Sequence, residues 1–447
     1  SPHLEHVNER IAIDGQQLSD DDFVDTWDQI KDLVAMVDMK MEELDKPKMS
    51  FFEVLTAMAI WKFADAPVDV AIVEVGMGGR WDATNVLDAD AAIIGPIDMD
   101  HMAWLGNTVE QIASEKVGII KPGCTAVIGR QPHEEAVMPI IEEAARQNHA
   151  NLVRDGIEAE VVTRIPAVGG QVATLRTPNG TYAEVPIAKF GEHQAHNALA
   201  ALCAAEVVIP VNGALDGDLV AEALSTVRIP GRIEQIRTSP TIILDGGHNV
   251  NAAESLRAAI EENYDFQQLV GVIAMMGDKQ VEEYLGVLEP LLSHVVVTEN
   301  SWRDRVMPAE DLKTVAERVF GAERVTCVPE LPDAIQEAVN MVDADDELGV
   351  GYGHGVLICG SFTTAGDARL MLEEKVNPDL KKPKSERVFQ EAVEPEPRKD
   401  QDEADLDFES DANPDFDIND FGSVGPDLAE DEDADASEVE HADAASS

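Results

Sequence analysis

With 447 residues the chain is long enough for two or three domains, and 44% apolar residues is ordinary for a globular core. Thirty-three Lys and Arg stand against 87 Asp and Glu, a net charge of −54 that repels phosphate backbones and anionic bilayers, so neither nucleic acid nor a membrane is an expected partner. Cys124, Cys203, Cys327 and Cys359 stand far apart with no Cys-x-x-Cys spacing, which fits a reduced, cytoplasmic protein.

Along the chain, strand-like runs alternate with helical ones, the pattern of an α/β fold with parallel sheets and crossover helices. Residues 49–63 carry apolar side chains at helical spacing and are expected to pack on the first sheet, whose buried strands read as 68–76, 90–97 and 124–129. From 156 to 190 the texture changes to alternation, and Asn179-Gly180 supplies the positive φ of a tight hairpin turn, predicting a small antiparallel insert. A helix over 192–208 follows; its apolar run is too short and too rich in alanine to span a bilayer. Arg228-Ile-Pro-Gly-Arg232 then breaks the pattern like an interdomain linker.

A second series begins there, with strands at 241–245, 269–276, 294–298, 324–328 and 355–360 and helices such as 251–262 and 363–374 between them. Five or six mostly parallel strands make a second doubly wound domain. The organisation expected is a first domain over 1–229, a second over 233–378 and a disordered acidic tail over 379–447. From Glu391 onward Asp and Glu are dense and Arg398 and Lys399 are the only bases. Within the tail, Pro414-Asp-Phe-Asp-Ile-Asn-Asp-Phe421 reads as solvated linker or as a short binding motif. There is no internal repeat and no visible signal peptide; the chain opens on Ser1, so its true start is expected upstream.

The chemistry gathers at strand ends, where open α/β sheets bind ligands. Glu74 lies in the apolar run 71–75, where an acid is costly without a cation or hydrogen-bond donors. The glycines of Gly76-Met-Gly-Gly79 are either a tight turn or a phosphate cradle, with Arg80, Asp82 and Asn85 beside them. Asp100 and His101 follow the next strand, and Lys116 lies on a short helix that Thr108 caps, with Gln111 completing a capping box. A carboxylate and an imidazole converging there suggest a Mg²⁺ site serving a nucleotide. Lys116 is either a surface lysine or one converted by CO₂ to a carbamate able to hold a second Mg²⁺. In the second half, Thr241-Ile-Ile-Leu-Asp-Gly-Gly-His-Asn249 places Asp245 and His248 at the mouth of a helix, where they either meet a ribose or phosphate or belong to a helix capped by Asn249 or Asn251. Arg232 and His193-Gln-Ala-His-Asn197 are further candidates for nucleotide contact.

Seven blocks in one order resemble the Mur ligase superfamily, and within it the folylpolyglutamate synthase/dihydrofolate synthase family. They are Ser1-Pro-His-Leu4 with Val7-Asn-Glu-Arg10, Glu74 through Asn85, Asp100-His101 with Leu105-Gly106, Ser114-Glu-Lys-Val-Gly-Ile-Ile-Lys121, Pro230-Gly-Arg232, Asp245-Gly-Gly-His-Asn249 and Gly360-Ser361. The resemblance covers residues 1 to about 375 and implies a Mur central ATP- and Mg²⁺-binding domain followed by a glutamate-ligase domain. The implied reaction is ATP-dependent addition of L-glutamate to dihydropteroate or a folate through an acyl phosphate. By position, Glu74 and His101 would bind Mg²⁺ and Lys116 would be the carbamylated lysine. Asn197, Arg232, Asp245 and His248 would reach ATP. Asp82, Ala83 and Thr84 would lie near the pterin, and Arg303 and Ser361 are looser candidates for the glutamate pocket. Lys116, His101 and His248 are the catalytic candidates, and a monomer is expected.

The chain departs from this pattern. The family's Gly-rich loop ending in Gly-Lys-Ser/Thr stands just upstream of the Ser-Pro-His-Leu block, and no G-x-x-x-x-G-K-[ST] occurs in these 447 residues. Taken as the whole molecule, the chain is expected to have little or no ligase activity. Trp81 before Asp-Ala-Thr-Asn, Gly247 where a small Ala is usual, and the acidic tail are lesser departures. Two other readings stand beside this one: another Mur-type ligase acting on a cell-wall precursor, and a non-catalytic folate- or glutamate-binding remnant.

Overall fold

The computed structural model describes residues 3–210, 213–344 and 353–372. The expected tail at 379–447, Ser1 and Pro2, and the last two residues of the helix expected over 363–374 lie outside the described residues. The chain divides into two units, the larger running to Met36 and resuming at Met49. Val37–Lys48, in the smaller unit, carries the exposed apolar residues Val37, Met39 and Leu44.

The N-terminal part builds two helices, Asp20–Glu43 and Phe51–Asp65. Phe23, Ile30 and Val34 recur near helical spacing and meet Leu55 and Met58 in one buried cluster with Ile11 and Leu18. Ser50 starts the second helix: its hydroxyl accepts from the amide of Glu53 at 3.3 Å, and the Glu53 carboxylate accepts from the amide of Ser50 at 2.7 Å. The helix expected to cover the first sheet therefore packs on another helix. The core around the first sheet is filled from elsewhere, by residues of the helices Val109–Lys116, Glu134–Gln147 and Glu192–Val208.

That sheet is parallel and three-stranded, in the order Ala91–Ile94, Thr125–Ile128, Asn151–Arg154. The strand expected over 68–76 is not among them. Residues 70–74 form no strand and are exposed, with Ile72 at 92%. Apolar composition alone does not bury a strand; a ladder partner must be present, and none pairs with this run among the described residues.

The insert is as expected in place and type: Glu160–Ala167, Gly170–Arg176 and Thr181–Ile187 form an antiparallel meander. Its turn chemistry differs. Neither Asn179 nor Gly180 has positive φ; the Thr177 hydroxyl accepts from both their amides at 3.2 Å and closes the turn instead. The positive φ falls in the other hairpin, at Gly169.

In the second lobe a six-stranded sheet runs in the order Val325–Cys327, His294–Val297, Gln268–Ile273, His354–Cys359, Thr241–Leu244, Glu234–Thr238. All pairs are parallel except the last. Ile243, Leu269, Ile273, Val295, Val297 and Leu357 face one side, against the helices Val250–Asn263, Val281–Leu288 and Ala309–Phe320. Ile242, Leu244, Val270, Val272, Val296 and Val356 face the other, against Leu331–Ala344 and Phe362–Leu372. This period-two division between two covered faces makes the sheet doubly wound. The antiparallel edge strand, Glu-Gln-Ile-Arg-Thr, is too polar to announce itself in sequence, and its charge suits an edge.

Candidate active site

A cleft of about 340 Å³ opens where the first sheet's strand ends meet the second lobe. Asp98, Asp100, His101 and Lys116 line it from the first lobe, and Asn249 and Asn251 from the second. Lys116 is the last residue of its helix and is half-buried. Thr108 caps the other end, accepting from the amide of Gln111 at 3.3 Å. The expected capping box is only half made, because the Gln111 side chain accepts from the amide of Asn107. Burial pushes the Lys116 amine down from its ordinary value, against the opposing pull of Asp100.

The glycine-rich loop is a close-packed turn. Gly78 has φ +71°, and a Cβ at Gly79 would fall 2.7 Å from the carbonyl oxygen of Glu115 and 2.9 Å from that of Lys116. Asp82 holds the loop from within: it accepts from the amide of Met77 at 2.9 Å, the amide of Thr84 at 3.0 Å and the Thr84 hydroxyl at 2.5 Å. Ala83 lies between them, half-buried. Asn85 donates to the carbonyls of Arg80 and Gly118, joining the loop to the segment after Lys116. Trp81 is 86% exposed.

Asp100 is the meeting point of the two lobes. Its carboxylate accepts from Lys279 Nζ at 3.1 Å and from Asn249 Nδ2 at 3.3 Å, with His248 Nε2 at 3.8 Å and His101 Nε2 at 3.9 Å. Burial works to raise its pKa, but the cationic and hydrogen-bonding neighbours prevail and hold it well below the usual carboxylate range. His101 adopts left-handed backbone, φ 51°, a conformation costing about 1–2 kcal/mol for a residue with a Cβ. The Asp100 carboxylate accepts from the His101 amide at 2.9 Å and holds that turn. Burial lowers the His101 pKa, with Asp100 pulling the other way.

In the second lobe Asp245 is 5% exposed, and both its oxygens are used on backbone: Gly247 N at 2.8 Å and Ile233 N at 3.0 Å. Burial raises its pKa and the neighbouring Arg232 opposes the rise. Arg232 stacks over Phe362 at 4.8 Å. Asp245 thus ties the linker to the loop that carries His248, and Asn249 caps the following helix by accepting from Ala252 N at 2.9 Å.

The other candidates lie apart from the cleft lining. Glu74 is exposed and does not line the cleft, although Val75 does. Asn197 is exposed and donates to Gln194. Ser361, 3% exposed, has its hydroxyl committed to Asn300 and Thr364 in a buried polar cluster. Arg303 is exposed and pairs with Glu299 at 2.5 Å and Glu330 at 3.3 Å. Lys279 was not singled out from sequence; its signal is its position just after the strand-like run 269–276. Among the described residues no three His, Cys, Asp or Glu converge as a metal site. Mg²⁺ needs only one or two protein ligands when phosphate and water supply the rest, so the donors at the cleft are compatible with it in that limited sense.

Two family models match the chain: the Mur ligase middle domain over residues 27–205 and the Mur ligase glutamate ligase domain over 231–362. A dihydrofolate synthase/folylpolyglutamate synthase of Mycobacterium tuberculosis is 43% identical over 387 residues, 83% of this chain and 79% of that protein. One from Escherichia coli is 31% identical over 378 residues, 84% of this chain and 79% of that protein. The solved structure of the M. tuberculosis folylpolyglutamate synthase complexed with ADP superposes with a TM-score of 0.79 at 44% identity, covering 83% of each chain.

Proposed function

We propose a reaction for this chain on the premise that it belongs to the folylpolyglutamate synthase/dihydrofolate synthase family of the Mur ligase superfamily: ATP-dependent addition of L-glutamate to dihydropteroate or a folate. The observation that carries the reading is the cleft itself, where Asp100, His101 and Lys116 of one lobe face Asn249 and Asn251 of the other. In this reaction the γ-phosphoryl group of ATP passes to a carboxylate oxygen of the folate, and ADP leaves. The glutamate nitrogen then attacks the acyl carbon, the C–O bond to phosphate breaks, and the nitrogen gives up a proton. Little covalent work falls to the protein, so positioning and neutralisation of charge dominate.

His101 would hold Mg²⁺, and Lys116 would do so as its carbamate; Glu74, exposed beside the cleft-lining Val75, would join them by turning into the cleft, and the ion would supply charge neutralisation at the phosphoryl oxygens. The lowered pKa of Lys116 supports that role, because only a neutral amine takes up CO₂. On the nucleotide side, Asp245 would act by shaping the loop of His248, with Arg232 and Asn197 as further contacts. Asp82, Ala83 and Thr84 would form the wall near the pterin, and Ser361 and Arg303 would lie toward the glutamate. We further propose a monomer working in the cytoplasm, a reducing compartment that suits the four free cysteines.

The test is turnover, by the purified protein extended upstream to carry a Gly-Lys-Ser/Thr loop, of ATP with L-glutamate and either dihydropteroate or tetrahydrofolate, set against UDP-linked cell-wall precursors. Formation of a new amide on the folate is the expected result. Turnover only with the cell-wall precursors would replace the folate assignment, and binding of folate without turnover would leave a binding protein.

A further inference from the structure

Asp100 belongs to the loop after the first sheet's strand Ala91–Ile94, and besides the His101 amide its carboxylate takes Lys279 and Asn249 of the other lobe. Lys279 follows the second-lobe strand Gln268–Ile273, and Asn249 caps a second-lobe helix. Lys279 and Asp100 are 14% and 28% exposed in their side chains, so the pair at 3.1 Å is shielded from most of the solvent. Other links between the lobes, Arg164 with Glu262 and Glu5 with Arg369, involve no residue that lines the cleft. The Asp100 link does, and the same carboxylate holds the left-handed turn at His101.

We propose that Asp100 is a positioning residue that couples the two lobes: by gripping Lys279 and Asn249 it fixes the loop carrying His101, opposite Lys116, against the second lobe. Its catalytic consequence rests on the reaction proposed above; the coupling itself does not. The grip has two parts. One oxygen takes the Lys279 ammonium together with the His101 amide, and the other takes the Asn249 amide. Loss of the second-lobe donors should therefore loosen a first-lobe loop that those substitutions never touch covalently.

The experiment reads that loop directly. Lys279→Met combined with Asn249→Ala is expected to speed amide hydrogen exchange across residues 98–106 of the free protein by roughly tenfold or more, the scale of losing a partly buried charged contact. Asp100→Ala should do the same, while Asp100→Asn, which keeps an acceptor for the His101 amide, should have a smaller effect and guards against failure of the alanine variant to fold. In turnover assays the same substitutions should lower kcat by about 10- to 100-fold with the KM for the folate nearly unchanged. Adding Asp100→Ala to the second-lobe pair should cost no more than either alone. Unchanged exchange at 98–106 in the second-lobe variant, or independent additive losses, would overturn the coupling. Altered exchange in a protein whose upstream-extended wild-type form makes no amide would leave the coupling standing and remove the proposed reaction.

Discussion

The backbone amide of Arg80 donates to the carbonyl of Glu115 at 3.0 Å, seating the glycine-rich loop on the last turn of the helix that ends in Lys116. That contact is possible because Gly79 has no side chain: its Cβ would meet two backbone carbonyl oxygens, which cannot swing aside. Gly79→Ala is expected to destabilise the protein by about 1–3 kcal/mol and to lower turnover by displacing Lys116. Gly286→Ala, where the added Cβ meets nothing within 4 Å, should be neutral or stabilising by up to ~1 kcal/mol. Chemical denaturation of both variants checks the contrast; equal midpoints would remove the packing argument.

Glu206 anchors the insert from the helix Glu192–Val208. The residue is 8% exposed, and its carboxylate accepts from the Thr177 hydroxyl at 2.9 Å, the side-chain amide Nδ2 of Asn179 at 3.1 Å and the Tyr182 hydroxyl at 2.6 Å. Burial, with help from Glu206, pushes the Tyr182 phenol up to about 12. Glu206→Ala strands several buried donors and should cost about 1–3 kcal/mol or more, whereas Glu206→Gln keeps an acceptor and should cost less. A urea titration that ranks the two alike would mean the network contributes little.

How much of this was legible in the sequence varies with what fixes each feature. The second lobe's parallel strands could be read because each is buried on both faces, so apolar runs such as Val295 to Val297 state their own burial. Residues 70–74 have a similar composition and yet lie exposed, since a ladder needs a partner strand and no single segment encodes its neighbour. In the cleft, Asp100, His101 and Lys116 were found from their places at the ends of elements. Lys279 was missed because its partner lies 179 positions away. Asp82, Asp245 and Ser361 were recognised as polar residues in the right loops. What sequence could not disclose is that their oxygens are already engaged: Asp82 and Asp245 by backbone amides of the loops that carry the cleft, and Ser361 by Asn300 and Thr364 in a buried cluster apart from it.

His196 Nδ1 lies 2.5 Å from Asp155, joining the helix Glu192–Val208 to the end of the first sheet. The bond to Asp155 raises the His196 pKa over the opposing effect of burial. A raised pKa means the folded protein binds this proton more tightly than the unfolded chain does. The stabilisation is therefore fully present below the unfolded value near 6.5 and is lost as pH climbs through the folded one. Melting temperatures of wild type and His196→Gln should differ most at mildly acid pH and converge as the pH is raised. A gap that widens toward alkaline pH would contradict the charged-pair account.

Lys116 offers the sharpest chemical test of the cleft. Its half-buried amine has a lowered pKa, so a larger neutral fraction is available to add CO₂ than on a surface lysine. Acid reverses this: as pH falls the amine is protonated, carbamate is drained and turnover should drop, while added bicarbonate should resist the drop. Lys116→Ala is expected to lose about 100- to 1,000-fold in turnover, comparable with removing one preorganised electrostatic group. A short carboxylate such as formate, standing in for the carbamate oxygens, should restore part of it. Lys116→Arg keeps the positive charge but has no amine that forms a carbamate, and should be equally impaired without rescue. Turnover indifferent to CO₂ at low pH, together with a Lys116→Ala variant that no carboxylate revives, would assign Lys116 to binding through its ammonium charge instead.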